Sequence, residues 1–142
     1  MINFFVKSRA DIEGGFFPGG VAVLISISDF GSEMPVCSGQ YSDQAGFNFD
    51  DADVQIHPST QLITQVDSQN IVDFIIDSIK GGCDTVVVNC EAGMSRSAGC
   101  AAALSLIHNG SDKEIIKTKP LYNRKVYREV LAAHYWDSVV NK

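Results

Sequence analysis

Residues 85–97 read Thr-Val-Val-Val-Asn-Cys-Glu-Ala-Gly-Met-Ser-Arg-Ser, a β-branched apolar run that passes into a short polar segment opening on Cys90 and closing on Arg96 and Ser97. The valines predict a buried strand over Thr85 to Asn89. The alanine- and leucine-rich stretch from Ala98 to Ile107 that follows is a strong helix former, so a helix is expected over Ser97 to His108. Five residues separate Cys90 from Arg96, enough to bend a semicircle of backbone N–H groups around an anion. The helix behind them aims its positive dipole end at the same point. A thiol at the floor of such a cradle ionises readily, and the thiolate is its reactive form.

The other elements place this unit in an α/β fold. Ile2 to Lys7 and Val21 to Ile27 read as strands, separated by the Gly14-Gly15 and Gly19-Gly20 pairs around Phe16-Phe17-Pro18. Residues 29–42 are turn-rich, Gln44 to Phe49 reads as another strand, and Val54 to Thr64 as irregular chain. A helix is expected from Asp67 or Ser68 to Gly81-Gly82, with Ile71, Val72, Phe74, Ile75, Ile76 and Ile79 crowding one side. Ser111-Asp112-Lys113-Glu114 fits a capping box opening a short helix that Pro120 ends, and Asn123 fits the cap of a last helix. The expectation is one domain over 1–142, with a central, mostly parallel sheet flanked by helices on both faces.

Composition narrows the function classes. With 11 basic against 17 acidic residues, for a net charge of −6, the chain offers no basic stripe for a nucleic acid. No apolar run approaches a membrane span, and the amino terminus lacks a signal-peptide layout, so a cytoplasmic protein is expected. Cys37, Cys83, Cys90 and Cys100 have neither zinc spacing nor the density of a disulfide framework, and His57, His108 and His134 have no partner at ligand spacing. Neither a metal nor another cofactor is expected. Cys83 and Cys100 read as packing residues, although either is a conceivable trap for an oxidised Cys90.

Cys90, Gly93, Arg96 and Ser97, as they stand here, resemble the signature of the cysteine-dependent protein tyrosine phosphatases, in particular their small dual-specificity-like bacterial and phage branch. The resemblance implies Cys90 as the nucleophile that becomes a phosphocysteine. It implies Arg96 as the clamp on two phosphoryl oxygens, and Ser97 as the hydroxyl that steadies the departing sulfur. Glu91, Ala92, Gly93, Met94 and Ser95 would line the phosphate with Arg96. A planar guanidinium matches two phosphate oxygens as a lysine cannot. The family also supplies an aspartate, on a loop upstream of the cysteine, to protonate the leaving group. Asp51 aligns first, Asp50 next and Asp53 third, with Asp29 a further candidate at a strand end. Their distance to Cys90 is longer than in compact members, the excess lying in Ala52 to Val66.

Two departures matter. The family usually places histidine before the nucleophile where this chain has Asn89, so a thiol less acidic than usual is expected. Pro120 and Asn123 resemble a Pro-Asn-x-x-Val segment that helps hold the phosphate loop, but two extra residues separate them here, and a helix cap is the plainer reading of Asn123. Glu91 is expected to point outward, since an inward carboxylate would repel substrate. Arg124 and Lys125 either attract phosphorylated substrate or solvate a helix face. The implied partner is a phosphorylated protein or peptide, with oligomeric state left open. A phosphopeptide-binding pseudophosphatase, and a sulfurtransferase or arsenate reductase, are the alternatives.

Overall fold

The computed structural model describes the backbone of residues 1–140 and the side chains of residues 1–136. Four parallel strands, β1 (Asn3–Ser8), β2 (Ala22–Ser28), β3 (Asp43–Asn48) and β4 (Thr85–Cys90), form one sheet in the order β1-β4-β2-β3. β4 is central. Phe4 and Val23 both sit opposite Val86, and Val6 and Ile25 both sit opposite Val88. All six residues of β4 and all seven of β2 are buried, as the unbroken apolar runs require of strands covered on both faces.

The two faces are covered unequally. Val23, Ile25, Ile27, Val86, Val88 and Cys90 point into the larger core. There they meet α2 (Gln65–Lys80), α3 (Arg96–Asn109) and α5 (Arg124–Val140), with the short α4 (Lys113–Thr118) at the periphery. Leu24 and Val87, one residue out of phase, face a smaller cluster with Ile12 of α1 (Arg9–Glu13), Phe16, Met34 and Tyr41. That side is closed by a five-residue helix and loops instead of a full helical layer.

The elements differ from the sequence expectation at their caps. Helix α1 was not anticipated: Ser8 and Asp11 form a capping box that turns the chain directly out of β1. α2 starts at Gln65, ahead of Asp67, because Thr64 and Asp67 bond each other's backbone N–H at 3.0 Å. Both boxes carry Asp at the third position, where Glu or Gln is the usual signature. The box expected at Ser111 does not form. Asp112 is the cap residue of α4, without a side-chain cap bond, and Ser111 Oγ accepts only from Lys113 N at 3.3 Å.

α3 and α5 approach closely at one glycine. A Cβ on Gly99 would lie 2.4 Å from the carbonyl oxygen of Asn123, which is backbone and cannot swing away. Gly99→Ala should therefore destabilise the fold by about 1–3 kcal/mol through overpacking. Urea denaturation would show this as a lower midpoint at unchanged slope.

Candidate active site

The sheet topology brings the cysteine to the middle of the molecule's working edge, since β4 lies between β1 and β2 and Cys90 is its last residue. The chain then folds back over the end of β1. Gly93 has φ 71°, and a Cβ there would stand 2.6 Å from the carbonyl carbon of Lys7 and 2.7 Å from Ser8 N. Only glycine allows both that backbone conformation and that approach.

Inside the loop, Cys90 Sγ lies 3.1 Å from Ser97 Oγ. Burial by itself pushes the thiol up, but Ser97 Oγ and the backbone N–H groups of Ser97, Gly93 and Ser95 all donate toward the sulfur. Together they hold Cys90 below the ordinary range of a thiol. The amides of Gly93, Ser95 and Ser97 thus converge on the sulfur. Glu91 points out to Arg9 at 3.6 Å, as expected, and Ala92 and Met94 are exposed on the rim.

Arg96 is buried, and its guanidinium is fixed by the ends of two strands. Nη1 donates to the Phe49 carbonyl at 2.8 Å and pairs with Asp29 Oδ1 at 2.8 Å. Its Nε–H is buried and has no acceptor among the described residues. Asp29 therefore braces the arginine, a role distinct from the proton donor considered for it from the sequence. Nothing in the sequence marks the Phe49 carbonyl, because a backbone acceptor carries no residue signal.

The three aspartates of the 50–53 segment do three different things. Asp50 has both oxygens engaged: Oδ1 accepts from Phe30 N at 3.2 Å and Oδ2 from Gln61 N at 2.9 Å. The N–H of Gln61, then that of Phe30, hold its carboxyl below the usual carboxylate range. Asp53 Oδ1 accepts from Lys125 N at 3.4 Å in the first turn of α5. Asp51 Oδ1 accepts from Ser95 Oγ at 2.7 Å and from Asn123 Nδ2 at 2.9 Å, which leaves Oδ2 without a protein partner among the described residues.

Asn123 ties this corner together despite its altered spacing from Pro120. Its Oδ1 caps α5 by accepting from Val126 N at 2.9 Å, its N–H donates to the Ser95 carbonyl at 2.9 Å, and its amide reaches Asp51. Cap and loop support are one residue. Arg124 lies over the Tyr122 ring at 4.9 Å and Lys125 pairs with Glu129 at 2.9 Å. Asn89 is buried on the α1 side of the sheet, in register with Ser26 of β2, and its Oδ1 and Ser26 Oγ both lack partners among the described residues.

Cys83 and Cys100 are not among the groups that hydrogen-bond the Cys90 sulfur. Cys83 precedes β4 at its far end and donates to the Thr85 carbonyl at 3.2 Å, with burial raising it. Cys100 is sealed within α3 and pushed up to about 12, first by burial and then by the neighbouring Cys90 charge. No cluster of three or more metal-ligating side chains occurs among the described residues.

No protein-family model matches the sequence, and no curated protein resembles it significantly. Solved structures do match in fold. Human DUSP28 superposes with a TM-score of 0.60 at 12% identity, covering 96% of this chain and 94% of that one. PTPMT1, in a complex with PI(5)P, gives 0.57 at 19% identity, over 86% and 81% of the two chains. The human tyrosine phosphatase-like serine/threonine/tyrosine-interacting protein gives 0.56 at 17%, over 87% and 80%. The chain has the fold of the small dual-specificity members of the cysteine-dependent tyrosine phosphatases, an all-parallel four-stranded sheet flanked by five helices.

A depressed thiol makes a chemical prediction. Iodoacetamide should alkylate Cys90 with a pH midpoint below that of an ordinary cysteine, with the rate falling as pH drops through it. Ser97→Ala, which removes the Ser97 Oγ contact to the sulfur, should move the midpoint upward, as read by mass spectrometry of the Cys90 peptide.

Proposed function

We propose that this chain is a phosphomonoester hydrolase of the tyrosine or dual-specificity phosphatase type that works through a phosphocysteine. One observation carries the reading: amide and hydroxyl donors converge on the Cys90 sulfur, and the buried Arg96 Nε–H of the same loop has no acceptor among the described residues. An unpaired buried donor costs about 1–3 kcal/mol, a loss that a bound phosphoryl oxygen would recover. No metal is needed in this scheme, since Arg96, the loop amides and the α3 dipole supply the positive charge.

In the first step the Cys90 thiolate attacks phosphorus, and the S–P bond forms as the P–O bond to the leaving group breaks. Asp51 passes its proton from Oδ2 to the departing oxygen, while Ser95 and Asn123 hold Oδ1 in place. Asp50 is a poorer donor, since both its oxygens already accept backbone N–H groups and those bonds favour the ionised form. In the second step Asp51 takes a proton from water, whose oxygen attacks phosphorus. The S–P bond breaks, phosphate leaves, and Ser97 donates to the regenerated thiolate. Arg96 and the amides of residues 91–96 stabilise the equatorial oxygens throughout.

Phosphotyrosine on a protein is the favoured substrate in a reducing, cytoplasmic setting, with phosphoserine and phosphothreonine next. The second reading is a phosphopeptide-binding module without useful turnover. It draws on the fold shared with the phosphatase-like interacting protein and on Asn89 in place of histidine.

Turnover of p-nitrophenyl phosphate separates the two. Cys90→Ser should abolish it, and Arg96→Lys should lower kcat about 10³-fold. Its absence in the native chain would leave the binding module standing. Asp51→Asn should slow phenyl phosphate about 10²–10⁴-fold but p-nitrophenyl phosphate far less, because a good leaving group needs no proton. Asp50→Asn should lower both alike, and equal losses for Asp51→Asn would move the acid elsewhere.

A further inference from the structure

Large apolar side chains stand exposed on four separate segments that each join the cradle or its supports. Phe30 is 61% exposed, follows the Asp29 that braces Arg96, and gives its N–H to Asp50. Met94, 47% exposed, lies in the loop itself. Val54, 66% exposed, follows the Asp53 that meets α5, and Leu121, 68% exposed, precedes the Asn123 that holds Ser95. Single exposed apolar residues are ordinary, but several gathered at one edge mark a contact surface.

The same segments are acidic. Asp29, Glu33, Asp51, Asp53 and Glu91 are exposed there, with Asp50 half-buried behind them. Of the nearby cations, Arg9 pairs with Glu13 and Glu91 and Lys125 with Glu129, whereas Lys7 over Phe16, Arg124 over Tyr122, and Lys119 keep their charge on the β1 and α5 sides. Residues 30–79 hold no lysine or arginine, so the side of the cradle formed by the ends of β2 and β3 is negative and apolar around the buried Arg96 Nε–H.

From this juxtaposition we infer that the substrate is a phosphotyrosine flanked by basic and apolar residues, and that polyanionic or acidic-flanked phosphoesters are disfavoured. The inference rests on the phosphatase reading and adds the chemistry of the flanks. A peptide laid across the cradle places basic side chains against the carboxylates of residues 29–53 and apolar ones on Phe30, Val54 and Leu121. An anionic lipid surface would bring its remaining charge against the same carboxylates.

The test compares kcat/KM of the full chain on matched phosphotyrosine peptides whose neighbours are arginine or glutamate, with leucine or serine next outward. Arginine should exceed glutamate about tenfold at low salt, and the gap should close at about 0.5 M NaCl. Leucine should exceed serine several-fold through KM, and Phe30→Ser should reduce that advantage while kcat stays level. Glutamate flanks performing as well as arginine would overturn the inference, as would faster release of phosphate from phosphatidylcholine vesicles carrying a phosphatidylinositol monophosphate. Turnover of p-nitrophenyl phosphate with indifference to flanks would sink this inference alone, whereas no turnover of any ester would sink the phosphatase reading itself.

Discussion

The sulfur of Cys90 is buried, and burial alone would keep a thiol protonated and inert. What reverses that outcome is a set of short-range donors from Ser97, Gly93 and Ser95 that point inward because the loop is bent tightly over β1. The bend depends on Gly93, the position of the loop depends on β4 being the central strand, and the direction of α3 depends on Gly99 letting α5 come close. Each of these conditions is a constraint on backbone path. The reactive atom is therefore prepared by the fold as a whole, and no single charged neighbour does it.

The same economy governs the supports. The Ser95 carbonyl accepts from Gly99 and Asn123, while its hydroxyl reaches Asp51. One residue at the start of α3 thus fixes the helix, the preceding loop and the aspartate above it. Arg96 is held from behind by Asp29 and Phe49, at the ends of β2 and β3, so the arginine registers the relative position of these two strands. Holding an arginine on one edge reduces the side-chain entropy lost when the other edge meets an anion.

Much of this was legible in the residues. The valine runs gave β2 and β4 to within a residue, because strands covered on both faces leave an unbroken apolar signature. Cys90, Gly93, Arg96 and Ser97 lie together as their spacing implies, since a loop of fixed length between strand and helix leaves little freedom. The capping boxes at Ser8 and Thr64 were not legible, because aspartate at the third position is shorter than the glutamate of the usual pattern and also fits an ordinary turn. The separate duties of Asp50, Asp51 and Asp53 were hidden for a different reason. Their partners, Phe30, Gln61, Ser95, Asn123 and Lys125, are remote in sequence, and three of the five contribute only a backbone N–H.

Asn89 shows what the chain does without a histidine beside its thiol. An imidazolium near a thiolate stabilises it strongly, but only while protonated, so that stabilisation fades as pH rises through the histidine's own titration. His57 belongs to a surface turn with Ser59, and His108 packs against His134 at the far end of α3. None of them is among the groups acting on Cys90. The donors that do act on it are amides and a hydroxyl, which do not titrate at all near neutrality. The depression of the thiol therefore rests on groups whose protonation does not change across physiological pH, so no neighbouring titration switches it off.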